Sequence, residues 1–324
     1  MKKEKSRITE SETRCGVVVR NTGSSYIVRL TDGTEVNCRV KGNFRIKGIR
    51  TTNPVAVGDM VRISRAADDA DYITAIEPRR NYIIRRASNL SKESHILAAN
   101  LDMAALVISM RDPVTPTTFI DRFLATAEAY NVPAMLILNK SDIWDEDDRE
   151  LAEGMKILYT QIGYPVMEVS ARTGNGIAEL SAVLHDKTTL LAGNSGVGKS
   201  SLINALVPGA NLKTGEISDI HHQGMHTTTF SEMVSLPGGG ELIDVPGIRG
   251  FGTIDFDPTE VSHYFPEIFK AAEGCRYSNC KHTGEPGCAV LPAVENHYIS
   301  ESRFNSYLSI LDEIENPEKY RKPF

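Results

Sequence analysis

The sequence predicts an α/β protein in three parts: a front β-barrel, a parallel sheet covered by helices, and a small helix-rich C-terminal module with clustered cysteines. Short strands separated by turn residues occupy residues 13–77, and apolar strands alternate with helical stretches from Asp102 onward. Three of the five cysteines lie between Cys275 and Cys288. We place the three parts at residues 1–78, 79–265 and 266–324.

The front part has the period-two pattern of strands. Alternating segments with β-branched residues are found at Cys15–Arg20, Ser25–Leu30 and Glu35–Val40, with Asn-Thr-Gly-Ser and Thr-Asp-Gly-Thr turns between them. The pattern continues from Asn53 and closes with a strand at Asp71–Glu77. Five short strands in about 65 residues are typical of a small closed barrel, and the OB-fold is the leading candidate.

The middle part begins with a connector at residues 79–100 and then changes to alternating strands and helices. Such alternation predicts a parallel sheet with helices on its faces. The predicted strands are Ala104–Ser109, Ala134–Leu138, Val166–Val169, Thr188–Ala192 and Glu241–Asp244. The predicted helices are Thr117–Tyr130, Asp147–Ile162, Ile177–Leu184 and Lys199–Leu206, followed in the last part by one long helix, Val294–Glu315.

The net charge of −6 hides an asymmetry along the chain. Residues 1–86 contain 18 Lys and Arg against 10 Asp and Glu, whereas residues 87–324 contain 18 against 32. This division predicts a basic front part that contacts a polyanion such as RNA, although small strand-rich domains also become basic by chance. No apolar run reaches the roughly 18 to 20 residues that span a bilayer, and no secretory signal opens the chain. We therefore expect a cytoplasmic protein without a membrane partner.

A phosphate-binding loop is predicted where the strand at Thr188–Ala192 meets the next helix. The segment Gly193-Asn-Ser-Gly-Val-Gly-Lys-Ser200 matches the pattern G-x-x-x-x-G-K-[ST] in full. Its backbone N–H groups and the helix N-terminus favour phosphates, Lys199 reaches the β- and γ-phosphates, and the Ser200 hydroxyl binds Mg²⁺. The nucleotide contacts expected from this loop are Gly193, Asn194, Ser195, Gly196, Val197, Gly198, Lys199, Ser200 and Ser201.

Two further strand ends indicate that the base is guanine. Asn139-Lys140-Ser-Asp142 follows one apolar strand, and Ser170-Ala171 closes the next. The Asp142 carboxylate can accept both N1–H and N2–H₂ of guanine, an arrangement that adenine does not offer. Asn139 and Lys140 would brace the loop and flank the base, and a backbone N–H at Ser170-Ala171 would donate to guanine O6. Taken singly, Asn-Lys-Ser-Asp is also explained as a helix start capped by Asp142, and Ser-Ala carries almost no information. Together, at successive strand ends, the two segments predict a GTP site.

Asp244-Val-Pro-Gly247 also ends a strand. Asp244 is expected to hold Mg²⁺ through water, and the Gly247 N–H is expected to contact the γ-phosphate. Before this strand lies Gly224-Met-His-Thr-Thr-Thr229, in which Thr228, or alternatively Thr229, completes the Mg²⁺ shell when GTP is bound. Loss of the γ-phosphate would then release the loop, as in other nucleotide switches. The plain alternative for the threonines is a β-prone run.

These segments resemble the GTPase motifs G1 to G5, but in the rotated order G4, G5, G1, G2, G3. With the front barrel and the cysteine module, essentially the whole chain resembles the RsgA/YjeQ family of ribosome small subunit-dependent GTPases, and Lys41–Arg45 and Val57–Asp59 in the barrel support this. The resemblance implies a circularly permuted P-loop GTPase domain and a role in late maturation of the small ribosomal subunit. Its rRNA and proteins would be the partners, and the subunit would stimulate hydrolysis. Met225 and Val245 depart from the family's usual basic residue and Thr.

The residue after Gly247 is Ile248, at the place where Ras-like GTPases carry a Gln that orients the attacking water. Because an Ile side chain cannot do this, we expect slow hydrolysis unless another group orients the water. His226 is the candidate catalytic residue, and similar proteins carry His there; the alternative is that it only forms hydrogen bonds within its loop. Lys199 and Thr228 complete the catalytic set through the phosphates and Mg²⁺.

The pattern Cys275-x₄-Cys280-x-His282-x₅-Cys288 offers three thiolates and one imidazole. This is a complete tetrahedral Cys₃His set for one Zn²⁺ with no open position, so the site is expected to be structural. It would stabilise a module too small to have a large core of its own. The family resemblance implies the same four ligands, and the two cysteines of the barrel are expected to be ordinary strand residues.

Three other functions compete with a ribosomal GTPase. One is a GTP-gated RNA-binding assembly module in which hydrolysis is incidental. A second is a P-loop ATPase or kinase, against which Asp142 argues, and a third is a DNA-binding zinc protein, which leaves the phosphate loop unexplained. We expect a monomer that binds GTP, GDP and the small subunit, with its zinc module mechanically coupled to the Asp244–Gly250 switch.

Overall fold

The computed structural model of the protein describes residues 13–23, 25–40, 54–66, 69–86, 94–210, 231–245, 256–316 and 319. The chain forms two compact units. The first contains Met1–Asp102, Leu184–Leu191 and Asp219–Pro246, and the second contains Met103–Val183, Ala192–Ser218 and Gly247–Phe324. The candidates His226, Thr228, Thr229 and Gly247, and the segment Lys41–Arg45, lie outside the described residues.

The secondary structure of the described residues consists of strands, α-helices and two short 3₁₀ turns. The strands are β1 (Arg14–Asn21), β2 (Tyr26–Leu30), β3 (Glu35–Val40), β4 (Met60–Arg65), β5 (Asp71–Ile76), β6 (Tyr82–Arg86), β7 (Ser94–Ala99), β8 (Met103–Ser109), β9 (Ala134–Asn139), β10 (Val166–Glu168), β11 (Thr188–Gly193), β12 (Glu232–Ser235) and β13 (Glu241–Asp244). The helices are α1 (Thr117–Ala129), α2 (Glu146–Ile162), α3 (Ile177–Leu184), α4 (Lys199–Leu206), α5 (Pro266–Ala272), α6 (Val290–Glu295) and α7 (Glu301–Glu315).

Strands β1 to β5 close into a barrel. β1 pairs with β2 and β4, β2 pairs with β3, and β5 pairs with both β3 and β4, so the ring of pairings is complete. All of these pairs are antiparallel except β3 with β5. Apolar side chains from alternate positions fill the interior, among them Val18, Val28, Cys38, Val61, Ile63 and Ile73. The predicted five-stranded barrel is therefore confirmed, with Cys38 as a core residue.

The other strands of the first unit include two features that the sequence pattern does not predict. β6 and β7 form an antiparallel hairpin where we predicted a plain connector. β12 pairs with β1 on one side and runs antiparallel to β13 on the other, and β13 is parallel to β11 at Thr188–Leu191. The hairpin lacks strict alternation, because Ile83 and Ile84 are both buried, and β12 has only four residues.

In the second unit, β8, β9 and β10 are parallel, in the order β10-β9-β8. Every residue of β8 and β9 is buried, which is typical of parallel strands with both faces covered. The predicted strands and helices of residues 104–206 agree with the structure to within one residue at each end. α2 begins with a capping box in which Asp145 and Asp148 each accept from the other's backbone N–H.

The C-terminal helices pack around a core that contains Phe265, Tyr307 and Ile310 together with Ala125 of α1. The prediction of one helix over Val294–Glu315 is wrong, since the chain forms α6, a turn and then α7. The turn contains His297 in the left-handed region, at φ 60°, which a continuous helix cannot include. Within the described residues, no helix has the length and apolar character that crossing a membrane requires.

Candidate nucleotide site and metal centre

The phosphate-binding loop connects β11, which ends at Gly193, to α4, which begins at Lys199. Gly198 has φ +89°, and a Cβ there would lie 2.4 Å from Asn139 Nδ2, so only glycine fits. At Gly193 an added Cβ would lie 2.8 Å from the Val107 carbonyl oxygen. No side chain caps the first N–H groups of α4 within the described residues. This start of a helix can therefore offer its N–H groups to an anion.

Asn139 joins the phosphate loop to the segments predicted to bind the base. It is the last residue of β9 and is 1% exposed. Its Nδ2 donates to the Val197 carbonyl at 2.9 Å, and its Oδ1 accepts from the Ala171 N–H at 3.2 Å. Both polar atoms of one buried amide are thus used to hold two loops together, which is the bracing geometry expected for Asn139. Its contact with a nucleotide stays a prediction.

The Asp142 carboxylate is held by two neighbours. Oδ1 accepts from Ser170 Oγ at 2.5 Å, and Oδ2 accepts from Arg172 Nε at 2.5 Å. Partial burial raises the pKa of Asp142, but the hydrogen bonds from Ser170 and Arg172 outweigh it and leave the pKa below its ordinary value. The group is therefore ionised at neutral pH and acts as an acceptor only. The sequence reasoning missed Arg172, although it directly follows the Ser170-Ala171 segment.

Lys140 adopts a left-handed backbone conformation, at φ 67°, between β9 and the 3₁₀ turn Ser141–Ile143. Its Nζ donates to the Asp112 carbonyl in the loop after β8. In the same loop, Pro113 lies next to the phosphate loop: a Cβ added to Gly196 would be 3.1 Å from Pro113 Cδ. The loop between β8 and α1 thus contacts both predicted nucleotide segments, and the strand and helix patterns alone gave no sign of this.

Asp244 is the last residue of β13 in the first unit. Across the sheet it is opposite Leu191 of β11 on one side and opposite Glu232 of β12 on the other. Val245, which follows it, is buried. Glu232 has no counterpart in the sequence-based prediction, because β12 itself was missed. The structure therefore adds a second carboxylate on the strand next to the predicted Mg²⁺ ligand.

The four predicted zinc ligands lie together in the second unit. The ligand atoms of Cys275, Cys280, His282 and Cys288 are all within 4.8 Å of one another. His282 Nδ1 is 3.7 Å from Cys275 Sγ and 3.5 Å from Cys288 Sγ. The backbone N–H of Ala289 donates to Cys275 Sγ at 3.3 Å. This arrangement of three sulfur atoms and one imidazole nitrogen is a metal-binding group.

The loop between Cys280 and Cys288 is shaped by Glu285, whose carboxylate accepts from the Lys281 and Thr283 N–H groups at 2.8 Å each. Burial raises the pKa of Cys280 to about 12 and lowers the pKa of His282. The imidazole is therefore neutral at neutral pH, as a ligand must be. Thiols packed this closely become thiolates only next to a cation, so the donor set fits a soft divalent metal.

Comparison with known proteins finds family models for two parts of the chain. The family model described as RsgA N-terminal domain matches residues 15–73, and the one described as RsgA GTPase matches residues 76–254. A protein of Porphyromonas gingivalis named small ribosomal subunit biogenesis GTPase RsgA is 62% identical over 314 residues, which cover 95% of this chain and 99% of the relative.

Two solved structures have the same fold over nearly their whole lengths. The crystal structure of YjeQ from Thermotoga maritima has a TM-score of 0.74 and 32% identity, and the match covers 94% of this chain and 99% of that one. YloQ, described as a circularly permuted GTPase, has a TM-score of 0.70 and 26% identity over 97% of this chain and 98% of that one. The rotated motif order and the five-stranded barrel are thereby confirmed, and the chain belongs to the RsgA family of GTPases.

Proposed function

We propose that this chain hydrolyses GTP to GDP and phosphate, and that it does so in the biogenesis of the small ribosomal subunit. The observation that carries the proposal is the double contact of Asn139, which links Val197 in the phosphate loop to Ala171 beside the guanine-binding segment. One buried side chain thus fixes the spacing between a phosphate site and a base site. The names of its family and of its relatives support the ribosomal role.

In this proposal the Asp142 carboxylate accepts the guanine N1–H and N2–H₂ groups, and the backbone at Ser170-Ala171 donates to O6. The phosphates lie along residues 193–201 at the start of α4, with Lys199 next to the β- and γ-phosphates. Mg²⁺ would be held by Ser200, Asp244 and Thr228. When bound, the ion neutralises charge that develops on the phosphate oxygens.

Hydrolysis by the isolated protein should be slow. Ile248 stands where a water-orienting Gln is found in Ras-like enzymes, and Ile cannot hold water. We assign water positioning to His226, with Lys199 and Thr228 acting on the phosphates and Mg²⁺. Binding of the small subunit late in its maturation would place His226 against the attacking water and so raise turnover.

The Cys₃His group would hold one Zn²⁺ in a purely structural role, since four protein ligands leave no position for a substrate. The basic front barrel is the candidate contact for rRNA, because small β-barrels of this type bind nucleic acid. The site of action would be the cytoplasm, where bacterial ribosomal subunits mature, and the protein would act there as a monomer.

The test is GTP hydrolysis by the purified chain alone, with small subunits, and with large subunits, at one stated salt concentration. We expect small subunits, but not large subunits, to raise turnover. His226→Ala should lose that increase while GTP binding remains. ATP should not displace a labelled guanine nucleotide at concentrations at which GTP does. Equal displacement by ATP would overturn the guanine assignment.

The Ile248 position also favours the second candidate, a GTP-gated assembly module in which hydrolysis is incidental. The same measurement separates the two functions. If neither subunit changes turnover while the small subunit still binds the GTP form, the assembly module is the better description.

A further inference from the structure

The barrel of the first unit is joined to the strand that ends in Asp244. We call this contact the β1–β12 junction; it consists of Arg20, Asn21 and Arg29 on the barrel side and Ser231, Glu232, Ser235 and Glu241 on the other. The Asn21 N–H donates to the Ser231 carbonyl at 3.4 Å, and Arg20 pairs with Glu232 both in strand register and through its guanidinium. The barrel and the beginning of β12 are thus held together by both backbone and side chains.

The strand register places Arg20, Glu232 and Asp244 in one row across β1, β12 and β13. Arg20 of β1 is opposite Glu232 of β12, and Glu232 is opposite Asp244 of β13. Residues directly opposite each other in antiparallel strands project from the same face, with Cβ atoms about 4.5 to 5.5 Å apart. Two carboxylates therefore stand side by side, which is unfavourable unless a cation balances them. Arg20 of the barrel pairs through its guanidinium with Glu232, one of the two carboxylates.

A second contact lies at the other end of β13. Arg29 of β2 donates from Nη2 to Glu241 Oε1 at 2.7 Å and from Nη1 to Ser235 Oγ at 2.9 Å. Ser235 Oγ in turn donates to Glu241 Oε2 at 3.0 Å. Glu241 is the first residue of β13, and Asp244 is the last. Arg29 thus contacts the first residue of β13, Glu241, and Arg20 contacts Glu232, which lies opposite the last residue of β13, Asp244.

We propose that Arg20 and Arg29 are positioning residues through which the barrel sets the placement and the local charge of Asp244. A partner that displaces the barrel would shift β12 and β13, and it would so change the position of the Asp244 carboxylate, which we propose holds Mg²⁺. This inference rests on the proposed function and adds to it the route by which the small subunit stimulates hydrolysis. This route through the barrel is separate from the coupling through the zinc module that the sequence led us to expect, and that coupling stays a prediction.

The junction can be tested by charge reversal, because both of its ion pairs are only partly buried. Arg20→Glu would place three carboxylates in one row, and Glu232→Arg would leave two cations opposite each other. We expect each single reversal to cut small-subunit stimulation about fivefold to tenfold and to raise the Mg²⁺ concentration for half-maximal hydrolysis. The double reversal should restore both values to within about twofold.

Binding to the small subunit is measured in parallel, since a positioning role leaves it unchanged. The matched control is the Arg62–Glu77 pair, which is also accessible to solvent but lies within the barrel, between β4 and the residue that follows β5. Arg62→Glu, Glu77→Arg and their double variant should keep wild-type stimulation and Mg²⁺ dependence.

Two results would overturn the inference. One is wild-type stimulation and Mg²⁺ dependence in both single reversals. The other is a loss of subunit binding in Arg20→Glu that the double reversal does not restore, which would make Arg20 an RNA contact. An unstimulated wild type would instead count against the proposed function, and the Mg²⁺ dependence would still decide whether the junction acts on Asp244.

Discussion

Arg303 donates from Nη1 to Asp121 Oδ1 at 2.8 Å, and neither side chain is exposed to solvent. The same guanidinium donates to both carboxylate oxygens of Glu267, at 2.6 and 3.1 Å, and lies 4.6 Å from the centre of the Phe265 ring. Tyr159 donates to the same oxygen of Asp121 at 2.8 Å. One buried cation therefore connects α1, α2, α5 and α7 within the second unit.

Arg303→Met should strongly destabilise the protein. It leaves the Asp121 and Glu267 carboxylates without the cation that balances them in the interior, and removing one member of a buried ion pair costs about 3 to 5 kcal/mol. The measurement is the free energy of unfolding of the full chain in urea. Arg149→Met, at an exposed position of α2, is the matched control and should stay within about 0.5 kcal/mol of wild type. Similar midpoints for the two variants would show that the buried pair adds no stability.

Asp142→Asn should change the base that is recognised. The amide accepts at one atom only and donates at the other, so it loses one guanine hydrogen bond but can donate to the 2-oxo group of xanthine. We expect GTP affinity to fall about 100-fold and xanthosine triphosphate to bind more tightly than GTP. Competition against a fluorescent guanine nucleotide measures both, with Asp147→Asn on the exposed face of α2 as the control. Unchanged preference for GTP would place the base elsewhere.

Gly198→Ala should damage the nucleotide site at its centre. The new Cβ would lie 2.4 Å from Asn139 Nδ2 and would also be strained at φ +89°. Since Asn139 holds two loops together, GTP affinity should fall by at least about tenfold. Gly154→Ala, in the middle of α2 with no atom within 4 Å of the added Cβ, should bind GTP normally and gain up to about 1 kcal/mol in stability. Normal GTP binding by Gly198→Ala would contradict the bracing role of Asn139.

Cys288→Ser should lower the zinc content of the purified chain well below that of the wild-type chain, for which we propose one ion, and should lower the melting temperature. Cys15→Ser, in the barrel and outside the metal group, should keep one ion. Acid should act in the same direction as the mutation. Burial lowers the pKa of His282, so the unfolded chain gains protons first as the pH falls below about 6.5, and both folding and metal binding weaken. Full zinc occupancy of Cys288→Ser would remove Cys288 from the ligand set.

The positive charge available to RNA should come from the segment Lys41–Arg50 rather than from the barrel strands. Ion pairs with Asp or Glu involve seven arginines of the described barrel and the turn after it: Arg14, Arg20, Arg29, Arg62, Arg65, Arg79 and Arg80. Residues 41–50 contain four Lys and Arg and no Asp or Glu.

The double variant Lys47→Glu with Arg50→Glu should therefore weaken small-subunit binding and lower the slope of log affinity against log salt by about two. Arg62→Glu with Arg65→Glu, which removes the same charge from paired residues, should have a much smaller effect. Equal losses in both double variants would mean that the strands contact RNA as well.

The parts of the fold that follow a simple period could be predicted from the sequence. The barrel strands alternate, and the helices and strands of residues 104–206 have long apolar patterns with clear ends. The features that were missed depend on contacts between distant segments. β12 has four residues and exists because β1 and β13 lie beside it, and the break before α7 depends on the left-handed backbone at His297.

In the candidate site too, residues within short motifs could be predicted, whereas residues defined by contacts between distant segments could not. Short motifs singled out Asn139 and Asp142, whose nucleotide contacts stay predictions, and the four residues of the metal-binding group, because each chemistry needs particular residue types at fixed spacing. Arg172, Asp112 and Glu232 were missed, since each is identified only by the partner that it contacts in three dimensions. The roles of His226 and Thr228 remain predictions from the sequence.

The β1–β12 junction also has a consequence for how the chain is made. Arg20 and Glu232 are 212 residues apart, as are Arg29 and Glu241. At synthesis rates of about 5 to 20 residues per second, the carboxylate partners emerge about 10 to 40 s after the arginines. All five strands of the barrel lie within residues 14–76, so they emerge long before Glu232 and Glu241. A nascent chain would therefore have every barrel strand available for pairing before it can complete the contact that links this barrel to Asp244.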